Sequence, residues 1–453
     1  MEETKKLARF VSRVAYEDLP VMVVDKAKEL ILDQLGCQLT GSTLPWSKAT
    51  CEYINENKGQ RKESTIVNYG ISTMASDAAF ANANFGHALM GDDTDSVCNA
   101  HLGAIIIPAA LAVAEREMIN GKEFIQAVVA GYEVASRIGA AAPLAESRGF
   151  HPGPIFGPFG VAACTGKILG FHEYQILDAM SIAGSHSSGL MEYSRSGGTV
   201  NRLHAGIAAY GGIRAVLLVQ KGFSGPATIL EGERGFLHAF SGECHLDEIT
   251  HRLGQEFRVL LIGLKAYWCC GTLGAGLDAV TAITSEYEID PERIKEIVVN
   301  APPAAFSLTG TIKEPRDITS AQFSGRFGIA LKLLKGGNSF NEYTEENLKD
   351  PKVLGLAAKI EYISDDDLAK LPDSDNPMKV MIRMIDGTVY ENTTYAGKGT
   401  ILNPMTKDEV SQKFKSSAAM VLTDDKIEAI IKIVALLDSV DNIRELSRLL
   451  VVN

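Results

Sequence analysis

Residues 102–114 read LGAIIIPAALAVA, thirteen positions without a charge. A membrane-spanning helix needs about 20 apolar residues, so this run is too short to cross a bilayer. A helix that is apolar all round belongs inside a helical mass rather than on its surface. The same character recurs at residues 124–141, 161–169 and 205–218, all rich in Ala and Gly and poor in charge. Small side chains let helix axes approach closely. The chain from about 75 to 220 therefore reads as a large all-α domain. Upstream, residues 1–40 show helical spacing at Leu7, Val11 and Val14, then at Val23, Ala27, Leu30, Ile31 and Leu35.

The texture changes after Lys265. Residues 297–299 (IVV) form a β-type run preceded by a charged, helix-like stretch at 291–296. Residues 380–385 and 388–393 flank Asp386-Gly387, a two-residue hairpin signal. Residues 327–334 between them read as helix. Residues 424–450 are amphipathic again, with Ile427, Ile430, Ile431, Val434 and Leu437 on one face, and are predicted to pack back on the helical domain. The fold expected is mainly α: a large helical domain from residues 1–265 and 399–453, built from both chain ends, and a smaller α+β domain at 266–398.

At 453 residues two domains are the default expectation. A net charge of −12 and the absence of a basic stripe argue against a nucleic-acid partner. An anionic substrate stays possible, because a pocket can be locally positive on an acidic protein. Seven cysteines, scattered apart from Cys269-Cys270 and in no metal-ligand spacing, together with a charged start lacking a signal peptide, point to a reducing cytoplasm. There is no strand–GxGxxG–helix unit, no Walker motif and no CxxC cluster, so neither a cofactor nor a metal is expected.

Five segments hold groups able to do chemistry. HALMGDDTD (87–95), followed by His101, packs three carboxylates into four positions, too few for a calcium loop. Asp92, Asp93 and Thr94 are also good helix caps. GFHPGPIFGPFG (149–160) sets His151 among three prolines and four glycines. That composition predicts a stiff irregular segment rather than a regular helix. AGSHSSGLMEYSRSGG (183–198), which contains Ser187, reads as a polar loop whose N–H and hydroxyl groups suit a carboxylate. NRLH (201–204) offers Arg202 for bidentate carboxylate binding, with His204 beside it. KAYWCC (265–270) puts Lys265 at the expected domain junction, a favoured ligand location. Each has a plain structural alternative: a cap, an interhelical connection, a flexible loop or a surface charge.

Taken in order, these segments resemble the MmgE/PrpD family along nearly the whole chain. The resemblance is densest at HALMGDDTD (87–95), 102–114, GFHPGPIFGPFGVAAC (149–164), RLHAGIAAYGG (202–212), KGFSGPATILEGERGF (221–236) and KAYWCC (265–270). It implies a helical domain with an α+β lid domain, a homodimer, and a cofactor-free site acting on a small carboxylate substrate. It also implies site roles. Thr94, His151 and Lys265 fall on site positions, Asp92-Asp93 on the family's acidic stretch, and His101 near a site histidine with its spacing from Thr94 one residue longer. On this basis and on residue type, His151, His101, Lys265 and Asp93 are expected to be catalytic, and Thr94, Asp92, Arg202, His204 and Ser187 to bind substrate. Departures stand beside the matches: Met90 where the dehydratases and decarboxylases carry an aspartate, Asn201 for a lysine, Phe327 for a tyrosine, and Gly271 and Gly274 where Arg and His are usual. Each lost charge-assisted contact is worth about 1.5–3 kcal/mol. A smaller or less charged acid than 2-methylcitrate or cis-aconitate is therefore expected. The chemistry implied is α-proton abstraction, with dehydration as the first expectation. Epimerisation of a small (imino)dicarboxylate is the alternative, and a non-catalytic acid-binding protein the second alternative.

Overall fold

Pro158 lies inside a helix. In the computed structural model, which describes residues 2–196 and 198–452, Pro152–Ile168 is one α-helix, buried continuously from Pro152 to Gly166. The irregular segment expected there is confined to its approach. The reason is positional. Pro152 and Pro154 fall in the first turn, where N–H groups have no intrahelical partner and proline's fixed φ suits the helix. Only Pro158 removes a hydrogen bond that the helix would otherwise make. The loss is offset by burial: Phe156 and Phe159 pack against Phe236, with ring centroids 6.1 and 4.9 Å away. Burying each such ring is worth about 1.5–3 kcal/mol.

The glycines of this helix fix its neighbours. A Cβ on Gly160 would stand 2.7 Å from the carbonyl oxygen of Gly131, so the helices Pro152–Ile168 and Gly121–Ala140 meet backbone to backbone. On the far side, a Cβ on Gly212 of helix Asn201–Val219 would meet Val161 Cβ at 2.4 Å. The run 102–114 becomes helix Gly103–Glu117 and packs on the same central helix. Arg137 closes the base of this assembly. Its guanidinium donates to Glu133 at 3.0 Å and to the carbonyls of His251 and Glu256 at 2.8 and 3.0 Å.

The chain divides into two compact units, one from Gly263 to Thr406 and the other from the residues before and after it. In the helical unit, the N-terminal periodicity resolves into helices Glu3–Arg13 and Val21–Ser42. Helix Lys407–Ala418 returns to pack on Val21–Ser42. The single helix expected over 424–450 is broken into Asp424–Ala435, a short turn at Leu437–Ser439, and Arg444–Leu449. The break serves a docking contact: the Val440 carbonyl accepts the N–H of Gly121, the first residue of its helix.

The smaller unit holds a four-stranded sheet in the order Ile360–Ser364, Ile294–Ala301, Met378–Met384, Val389–Thr394. The first pair is parallel and the others antiparallel. The charged stretch 291–296 is divided evenly: Pro291–Arg293 is a short 3-10 helix, and the strand begins at Ile294. Its Ile294, Ile297, Val299 and Ala301 are buried. The hairpin at Asp386-Gly387 forms with a three-residue loop. Met384 N–H donates to Thr388 O, and Gly387 takes φ +90°, which favours glycine. The helix expected over 327–334 is Gly325–Lys335. Among the described residues no helix is long and apolar enough to cross a membrane.

Candidate functional site

Three histidines line one small cavity of the helical unit. His87, His101 and His151 share it with Ile105, Gly153, Pro154 and Ala205. Each histidine reaches it from an element end. His87 terminates helix Ala75–Gly86, His101 precedes helix Gly103–Glu117, and His151 is the N-cap residue of Pro152–Ile168. A fourth, His204, comes from the first turn of Asn201–Val219. The ring centroids of His87 lie 5.4 Å from His101 and 5.7 Å from His151, and those of His151 and His204 are 5.2 Å apart.

The hydrogen bonds assign tautomers. His101 Nδ1 is 2.5 Å from the backbone carbonyl oxygen of Asp93. A carbonyl only accepts, so Nδ1 carries the proton, and in the neutral ring Nε2 is the basic nitrogen. His87 Nδ1 stands 2.6 Å from Asp92 Oδ2 and donates to that buried carboxylate. His151 differs, because its Nδ1 faces His204 Nδ1 at 2.9 Å. Burial, reinforced by His87, His204 and His101, holds the His151 pKa well below the usual histidine range. Burial and then His87 lower His204 to about 4. Both rings are neutral near pH 7.

Asp93 faces away from the cavity. Its carboxylate accepts the N–H of Gly103 at 3.1 Å and the hydroxyl of Tyr132 at 2.7 Å, at the start of helix Gly103–Glu117. Burial raises its pKa to about 7, against the opposing Tyr132 hydrogen bond. The capping alternative therefore describes the side chain of Asp93, while its backbone holds His101. Thr94 follows it, half-buried. The loop 87–95 is also held from below: Lys413 Nζ donates to the Gly91 carbonyl at 2.6 Å and pairs with Asp33 at 2.6 Å.

The segment after Ala183 is a strap rather than a loose loop. Gly189 O accepts His151 N–H at 3.1 Å, and Met191 N–H donates to Gly149 O at 2.9 Å. Ser187 Oγ is bound to Ile155 O at 2.7 Å, on the central helix. Tyr193 sets its ring edge against His151 and His204, at 5.4 and 5.7 Å. Arg202 is buried, with its guanidinium 5.5 Å from the centroid of Trp46, so the surface-charge alternative does not hold for it. Lys265 belongs to the other unit, where it too is buried.

Of the residues expected in the site, His101 and His151 line the cavity, while Asp92 bonds to His87, the Asp93 backbone bonds to His101 and His204 bonds to His151. Sequence reasoning left His87, Tyr193, Tyr132 and Lys413 out of the site. His87 opens the same motif as Asp92, and its five-residue offset was the available signal. Tyr132 and Lys413 are distant in sequence and carry none. Among the described residues no three His, Cys, Asp or Glu side chains are grouped as a metal ion would require.

A buried histidine cluster set among helix ends, with the tautomers of His87 and His101 set by their acceptors, offers acid–base groups in a helical scaffold. Comparison with known proteins gives it a family. The MmgE/PrpD N-terminal domain matches residues 5–248 and the MmgE/PrpD C-terminal domain matches residues 267–439. The chain belongs to the MmgE/PrpD family. It is similar to cis-aconitate decarboxylase of Aspergillus terreus, 28% identical over 99% of this chain and 95% of that one. Cis-aconitate decarboxylase-like protein oryM of Aspergillus oryzae is 27% identical over 99% and 97%. Human cis-aconitate decarboxylase is 25% identical over 99% and 94%. These relatives are lyases, and the chain is an enzyme of that kind.

Proposed function

We propose that this enzyme is a lyase for a small di- or tricarboxylic acid and moves a proton at the carbon next to a carboxylate, with His101 accepting and His151 donating. The observation that carries the assignment is the bond from His101 Nδ1 to the Asp93 carbonyl, which leaves Nε2 of the neutral ring as a base. His151 lines the same cavity, and its partner His204 can supply or accept a proton. The working form is a homodimer, with residues 263–406 as its α+β domain.

In the dehydration form, His101 Nε2 takes the α-proton and the C–H electron pair forms the new C=C bond. The β-carbon–oxygen bond breaks, and the departing hydroxide takes a proton from His151 to leave as water. Arg202 is assigned to a substrate carboxylate, whose charge grows toward an enolate as the proton leaves. Thr94 and Ser187 supply hydroxyls; Asp92 orients His87. Asp93 acts as a positioning residue through its backbone. The names of the relatives favour decarboxylation as a second reading. There the carbon–carboxylate bond breaks, CO2 departs, and the electron pair left on carbon takes its proton from a histidine. Met90 and Asn201, in place of family Asp and Lys, support an acid with fewer charges than cis-aconitate.

The test is incubation of the enzyme with hydroxy- and unsaturated di- and tricarboxylates in D2O, followed by proton NMR. Loss or gain of water supports the first reading, and CO2 release with deuterium in the product supports the second. Deuterium exchange at the α-carbon without net conversion, or no change across the panel, overturns the lyase assignment.

A further inference from the structure

His101 and His87 donate through Nδ1 to acceptors that cannot return a proton to them as a neutral donor would: a carbonyl oxygen and a carboxylate. Their tautomers are fixed. His151 alone among the cavity histidines bonds through Nδ1 to another imidazole, at 2.9 Å. A contact between two ring nitrogens requires one proton between them, because two lone pairs or two N–H groups repel. In a neutral pair one ring is therefore the Nδ1–H tautomer and the other the Nε2–H tautomer.

We infer that His204 is a positioning residue whose Nδ1 exchanges a proton with His151 Nδ1, so that His151 Nε2 alternates between proton acceptor and proton donor. The inference rests on the proposed reading of His151 as the group that moves a substrate proton. The step balances without a co-reactant. When His151 Nε2 takes a proton, its Nδ1 proton passes to His204 Nδ1. The positive charge moves to His204, and His151 remains neutral with Nε2–H. The reverse transfer restores His151 as an acceptor.

The surroundings are built for this exchange. Both rings are held from the backbone side: His151 N–H is bound to Gly189 O, and His204 lies on the first turn of a helix. A Cβ on Gly189 would stand 2.8 Å from Pro154 Cγ and 3.4 Å from His204 Nδ1, so the strap passes directly over the pair. Gly189 also takes φ +117°, a conformation side chains resist. Tyr193 covers the edges of both rings. Both rings are buried, so the proton they share is shielded from bulk water.

The experiment compares the full-length enzyme with His204→Asn and His204→Ala. Asn keeps a hydrogen bond to His151 Nδ1 but cannot pass a proton on. The relay predicts that both variants lose kcat by roughly tenfold or more with KM little changed, part of the larger factor that acid–base groups supply. A structural role predicts that Asn rescues what Ala loses. The second readout is histidine nitrogen NMR near pH 7. In the wild type His151 shows nitrogen shifts averaged between the two tautomers, and in His204→Asn it shows one tautomer. A wild-type His151 locked in one tautomer, or full kcat in His204→Asn, overturns the relay and leaves the lyase reading standing. Averaged shifts without turnover on any carboxylate overturn the lyase reading and leave the proton exchange standing.

Discussion

Lys413 and Asp33 meet at 2.6 Å in the interior of the helical unit, and the same ammonium donates to the Gly91 carbonyl at 2.6 Å. One cation from the last quarter of the chain thereby ties a helix near the N-terminus to the loop that carries Asp92 and Asp93. Removing one partner of a buried pair leaves an uncompensated charge, at a cost of about 3–5 kcal/mol. Lys413→Met is expected to lose that much by urea denaturation. The double variant Lys413→Met/Asp33→Leu recovers most of it. A single variant as stable as wild type contradicts the role.

Asp93 sets a pH dependence of opposite sign to that of an ordinary paired carboxylate. Its pKa rises on folding from 3.8 to about 7, chiefly through burial. Between these values the unfolded chain releases its proton while the folded chain keeps it. Stability is therefore lost as pH rises from about 4 to about 7, by an upper figure of about 4 kcal/mol. Asp93→Asn keeps an acceptor for Gly103 and has no charge to bury. The variant is expected to show a flatter stability profile over this window and to gain on wild type at pH 8.

His151 acts in the other direction. Its folded pKa is depressed well below the ordinary 6.5, so the unfolded chain binds a proton that the folded chain refuses. The stability it contributes is present above pH 6.5 and is lost as pH falls below that value, at up to about 1.4 kcal/mol per pH unit. Thermal unfolding at pH 7.5 and pH 5.5 is expected to show a smaller drop in His151→Asn than in wild type. An equal drop shows that His151 is not buried as a neutral ring.

Gly160 tests the packing that carries the site. A methyl group there would stand 2.7 Å from the Gly131 carbonyl oxygen, a backbone atom that cannot rotate away. Gly160→Ala is expected to destabilise by about 1–3 kcal/mol or more, as overpacked cores do. It should also lower activity, because the displaced helix carries His151 at its N-terminus.

Much of this was legible in the amino-acid sequence. Uncharged Ala/Gly-rich runs gave the helical core, since no other arrangement buries such surfaces, and Asp386-Gly387 gave the hairpin. The motifs gave His101, His151 and His204 as residues worth watching. What failed was governed by position within an element. Pro152, Pro154 and Pro158 read as breakers until the first two fall in a helix's first turn. The break near Leu436 follows from the Val440–Gly121 bond, which joins positions far apart in the chain. Tyr132 and Lys413 were illegible for the same reason: each acts through a partner that only folding supplies. The acidity of Asp93 depends on burial, which its motif does not encode.

The central claim is that His101 takes a proton from the carbon beside a substrate carboxylate. It is tested most directly by the rate of deuterium incorporation or substrate turnover in D2O for folded His101→Gln against wild type. The account predicts a loss of about 10²–10⁴-fold, the range a positioned acid–base group supplies. A folded His101→Gln enzyme that turns over its substrate at the wild-type rate contradicts it.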